Sequence, residues 1–527
     1  MADNKKDQER AELHRSIWSI ANDLRGAIEG WDFKNYVLGF MFYRYISESF
    51  VSHISKMYPG FDYMVQPDEV ANRDDIRVRF VGEKGYYILP SQLFENVRAR
   101  AADDPDLNIH LADIFKAIEA SARGTDTEET LTGLFDDIDL NSNKLGATPA
   151  ERTKRIVAIL DGVANMQLSR KDNTIDAFGD AYEFLMGMYA ANAGKSGGEF
   201  YTPQEVSELL TKIALGHKTS VNKVYDPACG SGSLLLQAAK VLGGDNVESG
   251  YYGQEINITT YNLCRINMFL HDVPHTKIHI ALGDTLINPN QRHMETDQPF
   301  EMIVSNPPYS VKWVGDADPT LINDPRFSPA GVLAPKGKAD LAFVMHCLSW
   351  LAETGTAAIV CFPGIMYRGG AEQKIRKYLV DNNFVDAVIQ LPENLFFGTS
   401  IATCILVLKK NRANDTRVRF IDASKECVKV KKSNKLTPEN IEKILQGFES
   451  REDIQYFARS VPQAEVQEQG YNLSVSTYVE PEDTREKIDI VKLNSDIKQI
   501  VARQNVLRQE IDKIVEQIEG PSQPSEI

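Results

Sequence analysis

Val221-Asn222-Lys223-Val224-Tyr225-Asp226-Pro227-Ala228-Cys229-Gly230-Ser231-Gly232-Ser233-Leu234-Leu235-Leu236-Gln237-Ala238-Ala239-Lys240 is the stretch that decides the fold. Residues 221–225 have the apolar, β-branched character of a buried strand, and 234–240 read as a helix. Strand, Gly-rich turn, helix is the nucleotide-binding arrangement of a doubly wound α/β sheet. Gly230 and Gly232 let the backbone approach a ligand closely. The turn is not a dinucleotide fingerprint, because Leu235 stands where Gly-x-Gly-x-x-Gly needs its last glycine. A carboxylate before the turn, Asp226, suits a ligand with a cationic amino-acid end better than a pyrophosphate.

Working outward, a second strand at 250–254 ends in Glu255, placed to accept hydrogen bonds from ribose hydroxyls. A third, 277–282, ends in Gly283-Asp284, and Asp284 could accept from an adenine amino group. A fourth, 300–305, runs into Asn306-Pro307-Pro308-Tyr309. Any one of these acids alone reads as a loop charge or a helix cap. Their joint spacing follows the rule that ligands sit at the carboxyl ends of sheet strands. Asn306 offers a side-chain carbonyl. The prolines fix φ and remove backbone donors, leaving carbonyls free. Tyr309 adds a flat ring. Together they form a clamp for a planar group bearing NH2, with Asn306 Oδ1 and the Pro307 carbonyl accepting from the amine and its lone pair aimed at a methyl donor.

The pair Asp226-Pro227-Ala228-Cys229-Gly230-Ser231-Gly232 and Asn306-Pro307-Pro308-Tyr309 resembles the S-adenosylmethionine-dependent methyltransferases that act on adenine N6. Upstream, Gly198-Glu199-Phe200-Tyr201-Thr202-Pro203 is similar to a cofactor-touching segment of the modification subunits of type I restriction–modification systems. The likeness extends through residues 190–197, 361–364 and 395–399. It implies S-adenosyl-L-methionine as cofactor, held by Gly198, Glu199, Phe200, Tyr201, Thr202, Pro203, Asp226, Gly230, Ser231, Gly232, Glu255 and Asp284. Asn306, Pro307, Pro308 and Tyr309 are implied as the catalytic clamp, with no metal. It further implies a seven-stranded core with one antiparallel member and a DNA substrate chosen by a separate specificity subunit. A restriction (motor and nuclease) subunit and two copies of this chain per specificity subunit complete the expectation. Rival readings are methylation of a protein glutamine amide or of RNA adenine, since the clamp reads any planar NH2, and a non-catalytic subunit that keeps the fold as a scaffold. Gly194-Lys195-Ser196 resembles the end of a phosphate-binding loop, but Tyr189 stands where that motif needs its first glycine.

The 527 residues predict about three domains. A hydrophobic content of 43% and a charged content of 25% are those of an ordinary globular protein. No stretch is long and apolar enough to span a membrane, and the first residues have no apolar run, so a cytoplasmic protein is expected. The six cysteines show neither metal-ligand spacing nor disulfide density. A net charge of −16 lacks the basic footprint of a chain that grips DNA alone, so affinity must come from local basic loops or another subunit.

The expected organisation is a helical region at 1–167, a catalytic domain at 168–410, a connecting region at 411–487 and a long helix at 488–519. Leu13, Ile17, Ile20 and Leu24 mark a first helix over 10–25, and a second follows the Gly30-Trp31-Asp32 break. The helical region is a support or, by resemblance, also a contact for DNA and partners. Residues 310–340 lack periodicity and carry Lys312, Trp313, Arg326, Lys336 and Lys338, so they either face DNA or form a solvated loop. Phe396 and Phe397 either wall the base pocket or pack in the core. Strands at 384–390 and 401–409 are joined by a short link, as an antiparallel pair would be. Ile490, Leu493, Ile497, Ile500, Leu507, Ile511, Ile514 and Ile518 form a heptad seam interrupted by Gln504, which needs a partner helix or one of the chain's own.

Overall fold

The computed structural model describes residues 2–23, 30–125, 127–168, 177–192, 202–294, 298–315, 318–396, 400–412, 415–430, 433–482 and 489–520. Residues 1–480 gather into one compact unit and 481–527 into a second.

A nine-stranded sheet organises the first unit. Its strands are β1 (Val221–Asp226), β2 (Val247–Glu255), β3 (Ile278–Leu282), β4 (Phe300–Ser305), β5 (Leu351–Cys361), β6 (Val385–Gln390), β7 (Cys404–Lys409), β8 (Arg417–Asp422) and β11 (Ala458–Pro462). A separate small hairpin pairs β9 (Val428–Val430) with β10 (Ser433–Lys435). The order in the large sheet is β11-β8-β6-β7-β5-β4-β1-β2-β3. The run from β6 to β3 contains the seven expected strands, with β7 antiparallel to both β5 and β6. The sheet does not stop at residue 410: β8 pairs parallel to β6 and β11 antiparallel to β8. Val418 and Phe420 are buried there, and so is Arg419, whose guanidinium donates to the carbonyls of Gly447 (2.9 Å) and Glu452 (2.5 Å).

Strand alternation divides the interior in two. Val224, Met302, Val304, Ala358 and Val360 point into one apolar core. Tyr225, Ile303, Ala357 and Ile359 point into the other. The first core is shared with the N-terminal helices. Of these, α1 (Ala2–Asp23) buries Leu13, Ile17 and Ile20, while Leu24 lies outside the described residues. The second, α2 (Gly30–Met57), begins at Gly30 itself, so Gly30-Trp31-Asp32 is its first turn and no break. Also on this side lie α3 (Pro149–Asn165), α4 (Ala177–Asn192), α5 (Gln204–Leu215), α6 (Ser233–Leu242) and α7 (Ile258–Leu270). Helix α8 (Asp340–Trp350) and α9 (Ala371–Asp381) cover the opposite face.

Helix α7 joins the N-terminal helices to the sheet by polar contacts. Arg265, 1% exposed, donates to the carbonyls of Glu129 (2.9 Å), Thr130 (3.2 Å) and Thr132 (2.8 Å). Asp137 accepts from Thr259 Oγ1 (2.8 Å) and Asn262 Nδ2 (2.9 Å), and Tyr45 donates to Asp272. A buried guanidinium is tolerated because these acceptors replace its water.

The stretch 310–340 is not a free loop. Trp313, Leu321, Phe327 and Leu333 are buried in the second core, and Trp313 Nε1 donates to the Pro335 carbonyl at 3.1 Å. Arg326, expected to face DNA or solvent, is 5% exposed and paired with Asp324 at 2.7 Å. Lys312 and Lys336 are exposed, and Lys338 is half-buried. Phe396 packs in the first core, and Phe397 lies outside the described residues.

In the second unit, α10 (Ile490–Glu519) is capped by Asp489, whose side chain accepts from the amides of Val491 and Lys492. All eight seam residues are exposed, from 48% at Leu493 and Ile497 to 79% at Ile518. Among the described residues no helix is long and apolar enough to cross a membrane.

Candidate active site

The sheet reverses direction of winding at β1, which lies between β2 and β4. Ligands of doubly wound sheets sit at the carboxyl ends on either side of such a point. Asp226 ends β1 and Ser305 ends β4, and the two meet: Ser305 Oγ donates to Asp226 Oδ1 at 2.8 Å. The same oxygen accepts from the Ala228 amide at 3.0 Å. Asp226 is 1% exposed, and burial pushes its carboxyl up to about 7, against which these two hydrogen bonds pull down. None of the described residues gives it a cation. A buried carboxylate in that condition fits a ligand that brings its own positive charge.

The turn after Asp226 has the backbone its glycines allow. Gly230 and Gly232 have φ of 53° and 80°, in the left-handed region. A Cβ on Gly232 would meet Cys264 Sγ at 2.8 Å, so the turn packs directly against α7. The Ser231 carbonyl accepts from Asn267 Nδ2 of that helix at 2.8 Å. Glu255, at the end of β2, takes the Gly230 amide on Oε2 (3.1 Å) and the Asn257 amide on Oε1 (2.9 Å), with burial raising its carboxyl. Asp284 follows β3 and accepts from the Leu286 amide at 2.9 Å.

Asn306 stands one residue beyond β4. Its Nδ2 donates to Thr202 Oγ1 at 3.1 Å, and its Oδ1 accepts from the Tyr309 hydroxyl at 2.6 Å. Pro307 is buried and Pro308 half-buried. Burial pushes the Tyr309 phenol well above its ordinary range. Ser310 closes the turn with φ of 52°, its amide held by both oxygens of Asp340 at 3.1 Å.

Asp226, the Gly230-Ser231-Gly232 turn, Glu255, Asn306 and Tyr309 are thus brought to one end of the sheet, with Asp284 after the neighbouring strand. Gly198, Glu199, Phe200 and Tyr201 lie outside the described residues, as does the 194–196 segment. Thr202 and Pro203 are described, and both are buried.

Several supporting residues carry no sequence motif. Arg326 donates to the carbonyls of Thr285 (2.8 Å) and Leu286 (2.8 Å), fixing the loop that begins at Asp284. Gln254 braces the same loop, giving to the Asn288 carbonyl and accepting from the Asn290 amide, each at 2.9 Å. Ile256, directly after Glu255, is 67% exposed at the strand end. An apolar residue directly after the strand-end acid Glu255 is the signal that could have marked it.

Fold and site together define a methyltransferase of the doubly wound α/β class. The family described as N-6 DNA Methylase matches residues 173–487, and the HsdM N-terminal domain matches 13–163. The type I restriction enzyme MpnII methylase subunit of Mycoplasma pneumoniae is 49% identical, over 98% of each chain. The MjaVII methylase subunit of Methanocaldococcus jannaschii is 30% identical, over 96% of this chain and 84% of its own length. The crystal structure of the type I restriction-modification system methyltransferase subunit from Streptococcus thermophilus superposes with a TM-score of 0.80 at 38% identity, covering 89% of this chain and all of that one. The chain belongs to the N-6 DNA methylase family, among the methylase subunits of type I restriction enzymes.

Proposed function

We propose that the chain transfers a methyl group from S-adenosylmethionine to adenine N6 in DNA, at a sequence chosen by a separate specificity subunit. The observation that carries this reading is the Ser305–Asp226 hydrogen bond. It ties the residue beside the amine clamp to the carboxylate of the cofactor turn.

S-adenosylmethionine, when bound, supplies an activated sulfonium methyl. Asp226 would hold its ammonium, the Gly230-Ser231-Gly232 turn and residues 198–203 the rest of its amino-acid end, Glu255 its ribose and Asp284 with Ile256 its adenine. The target adenine is paired inside a duplex and must leave the stack to react. Tyr309 then stacks on it, while Asn306 Oδ1 and the Pro307 carbonyl accept from the N6 hydrogens. A carbonyl oxygen has two lone pairs, so Oδ1 can accept from the amine beside the Tyr309 hydroxyl or in its place. The amine is held with its lone pair toward the methyl, and its extra proton leaves after transfer, so no general base is required. The helical region 1–167 would support the site, and α10, within 488–519, would lay its seam against a helix of the specificity subunit. A motor and nuclease subunit, and two copies of this chain per specificity subunit, complete the assembly.

The test is long-read mapping of N6-methyladenine in cells carrying the chain and its specificity partner, against the Asn306→Ala version. Methylation at one sequence, lost in the variant, is expected. Methylation that survives Asn306→Ala, or is absent from both with the partner present, overturns the reading.

A further inference from the structure

Thr202 lies in the segment whose resemblance assigns it to the cofactor, yet its side chain is bonded to the catalytic amide. Thr202 Oγ1 accepts from Asn306 Nδ2 at 3.1 Å across 104 residues of sequence. We propose that Thr202 is a positioning residue for the methyl acceptor site: its hydroxyl makes the orientation of the Asn306 amide depend on an occupied cofactor site. This rests on the function proposed above.

The position is built to be rigid. Thr202 is 6% exposed and precedes Pro203, which holds it extended. Pro203 caps α5, its carbonyl taking the Val206 and Ser207 amides at 3.0 Å each and Ser207 Oγ at 3.2 Å. Helix α5 buries Val206, Leu209, Leu210 and Ile213 in the first core. The backbone that carries the hydroxyl is therefore tied through Pro203 to α5 and the first core.

The amide of Asn306 has two ends and two hydroxyl neighbours, Thr202 and Tyr309. A hydroxyl can give or take, so these neighbours alone tolerate the amide either way round. The reacting orientation is the one with Oδ1 toward the target amine. Turned over, Asn306 would present two N–H donors to a group that is itself a donor, leaving the buried amine unpaired. An anionic neighbour removes the ambiguity. Once the Thr202 proton is given to a carboxylate, only lone pairs remain toward Asn306, and Nδ2 must face Thr202. The amino-acid carboxylate of the methyl donor is the anion expected beside this segment. The orientation the structure shows, Nδ2 toward Thr202 and Oδ1 toward Tyr309, would then be one of two allowed in an empty site and the sole one allowed once the donor is in place.

The test uses the assembled complex with its specificity subunit. Affinity is measured for duplexes carrying adenine or amine-free purine at the target, with and without a saturating, non-transferable S-adenosylmethionine analogue. The wild type is compared with Thr202→Val, which keeps the shape and removes the hydroxyl, and with Thr202→Ser, which keeps it. The analogue should raise the wild-type preference for adenine over purine by about tenfold, the worth of one well-made hydrogen bond. Thr202→Val should lose that gain, along with about tenfold or more of kcat at saturating cofactor. Thr202→Ser should recover most of both. Comparing each duplex between proteins cancels the difference in base-pair strength. Thr202→Val that matches wild type at saturating cofactor, or a Thr202→Ser that recovers nothing, overturns the proposal. Asn306→Ala run beside them separates the two claims. An inactive Asn306→Ala with a normal Thr202→Val removes only the role of Thr202, whereas an active Asn306→Ala removes the clamp.

Discussion

Replacing Asp226 with Asn should stabilise the ligand-free protein and destroy its affinity for the methyl donor. Burial raises the carboxyl from its ordinary 3.8 to about 7. The folded protein therefore holds this proton where the unfolded chain has lost it. Stability from this group is full below about pH 4, falls as pH rises from about 4 to about 7, and stays reduced above that. Three units at about 1.4 kcal/mol each set the charge penalty at up to about 4 kcal/mol at pH 8 and about 2 kcal/mol at pH 5. Asn keeps the two contacts the carboxylate makes, since both fall on one oxygen: its Oδ1 can accept from the Ala228 amide and from Ser305 Oγ. Thermal melts of both proteins from pH 5 to pH 8 read the effect. The variant should melt higher at pH 8, by a margin that narrows toward pH 5. Addition of S-adenosylmethionine should raise the wild-type midpoint and leave the variant's unchanged. A variant that melts at or below wild type at pH 8, or a margin independent of pH, refutes the argument from desolvation.

Ile256→Ala should weaken cofactor binding by about 1 kcal/mol, about fivefold in Kd by calorimetry, while the melting temperature stays put because the side chain is already exposed. Arg265→Met leaves three carbonyls without their donor, that of Thr130 buried, and should lower stability by about 2 kcal/mol in denaturant melts, with early loss of the N-terminal helices by limited proteolysis. Ile500→Asp with Ile511→Asp should abolish co-elution with the specificity subunit. The melt of the chain alone should not change, since both side chains are in water there.

The parts of the site that were legible in the sequence are those whose signal is local. Asp226, Glu255 and Asn306 each close a short apolar run and open a turn, so strand period and turn chemistry mark them without knowledge of the fold. The heptad of α10 is visible for the same reason. What was hidden depends on distant partners. Arg326 reads as a basic residue in an aperiodic loop, but the carbonyls it holds are 41 and 40 positions away. Arg419 interrupts the apolar pattern of β8 and suggests an exposed segment, yet it is 0% exposed with carbonyls around its guanidinium. Residues after 410 therefore read as a connection where they are sheet. Thr202 and Asn306 meet only because α5 and β4 deliver them to the same place.

The cations spent inside the protein change how it meets a polyanion. Among the described residues, Lys34, Arg44, Lys223, Arg265, Arg326, Arg376, Arg412 and Arg419 are buried, against the acids Asp226, Asp340, Glu372 and Asp386. Most of those guanidiniums face main-chain carbonyls. Among the described residues the outward balance is thus more acidic than their total charge, within a chain whose formal charge is −16. An ordinary DNA-binding protein loses affinity as salt rises, because phosphate contacts release counterions. The lone subunit should show the reverse sign at low ionic strength: added salt screens its repulsion from the duplex. In a mixture with excess competitor DNA it would stay unsequestered until a partner supplies a positive field.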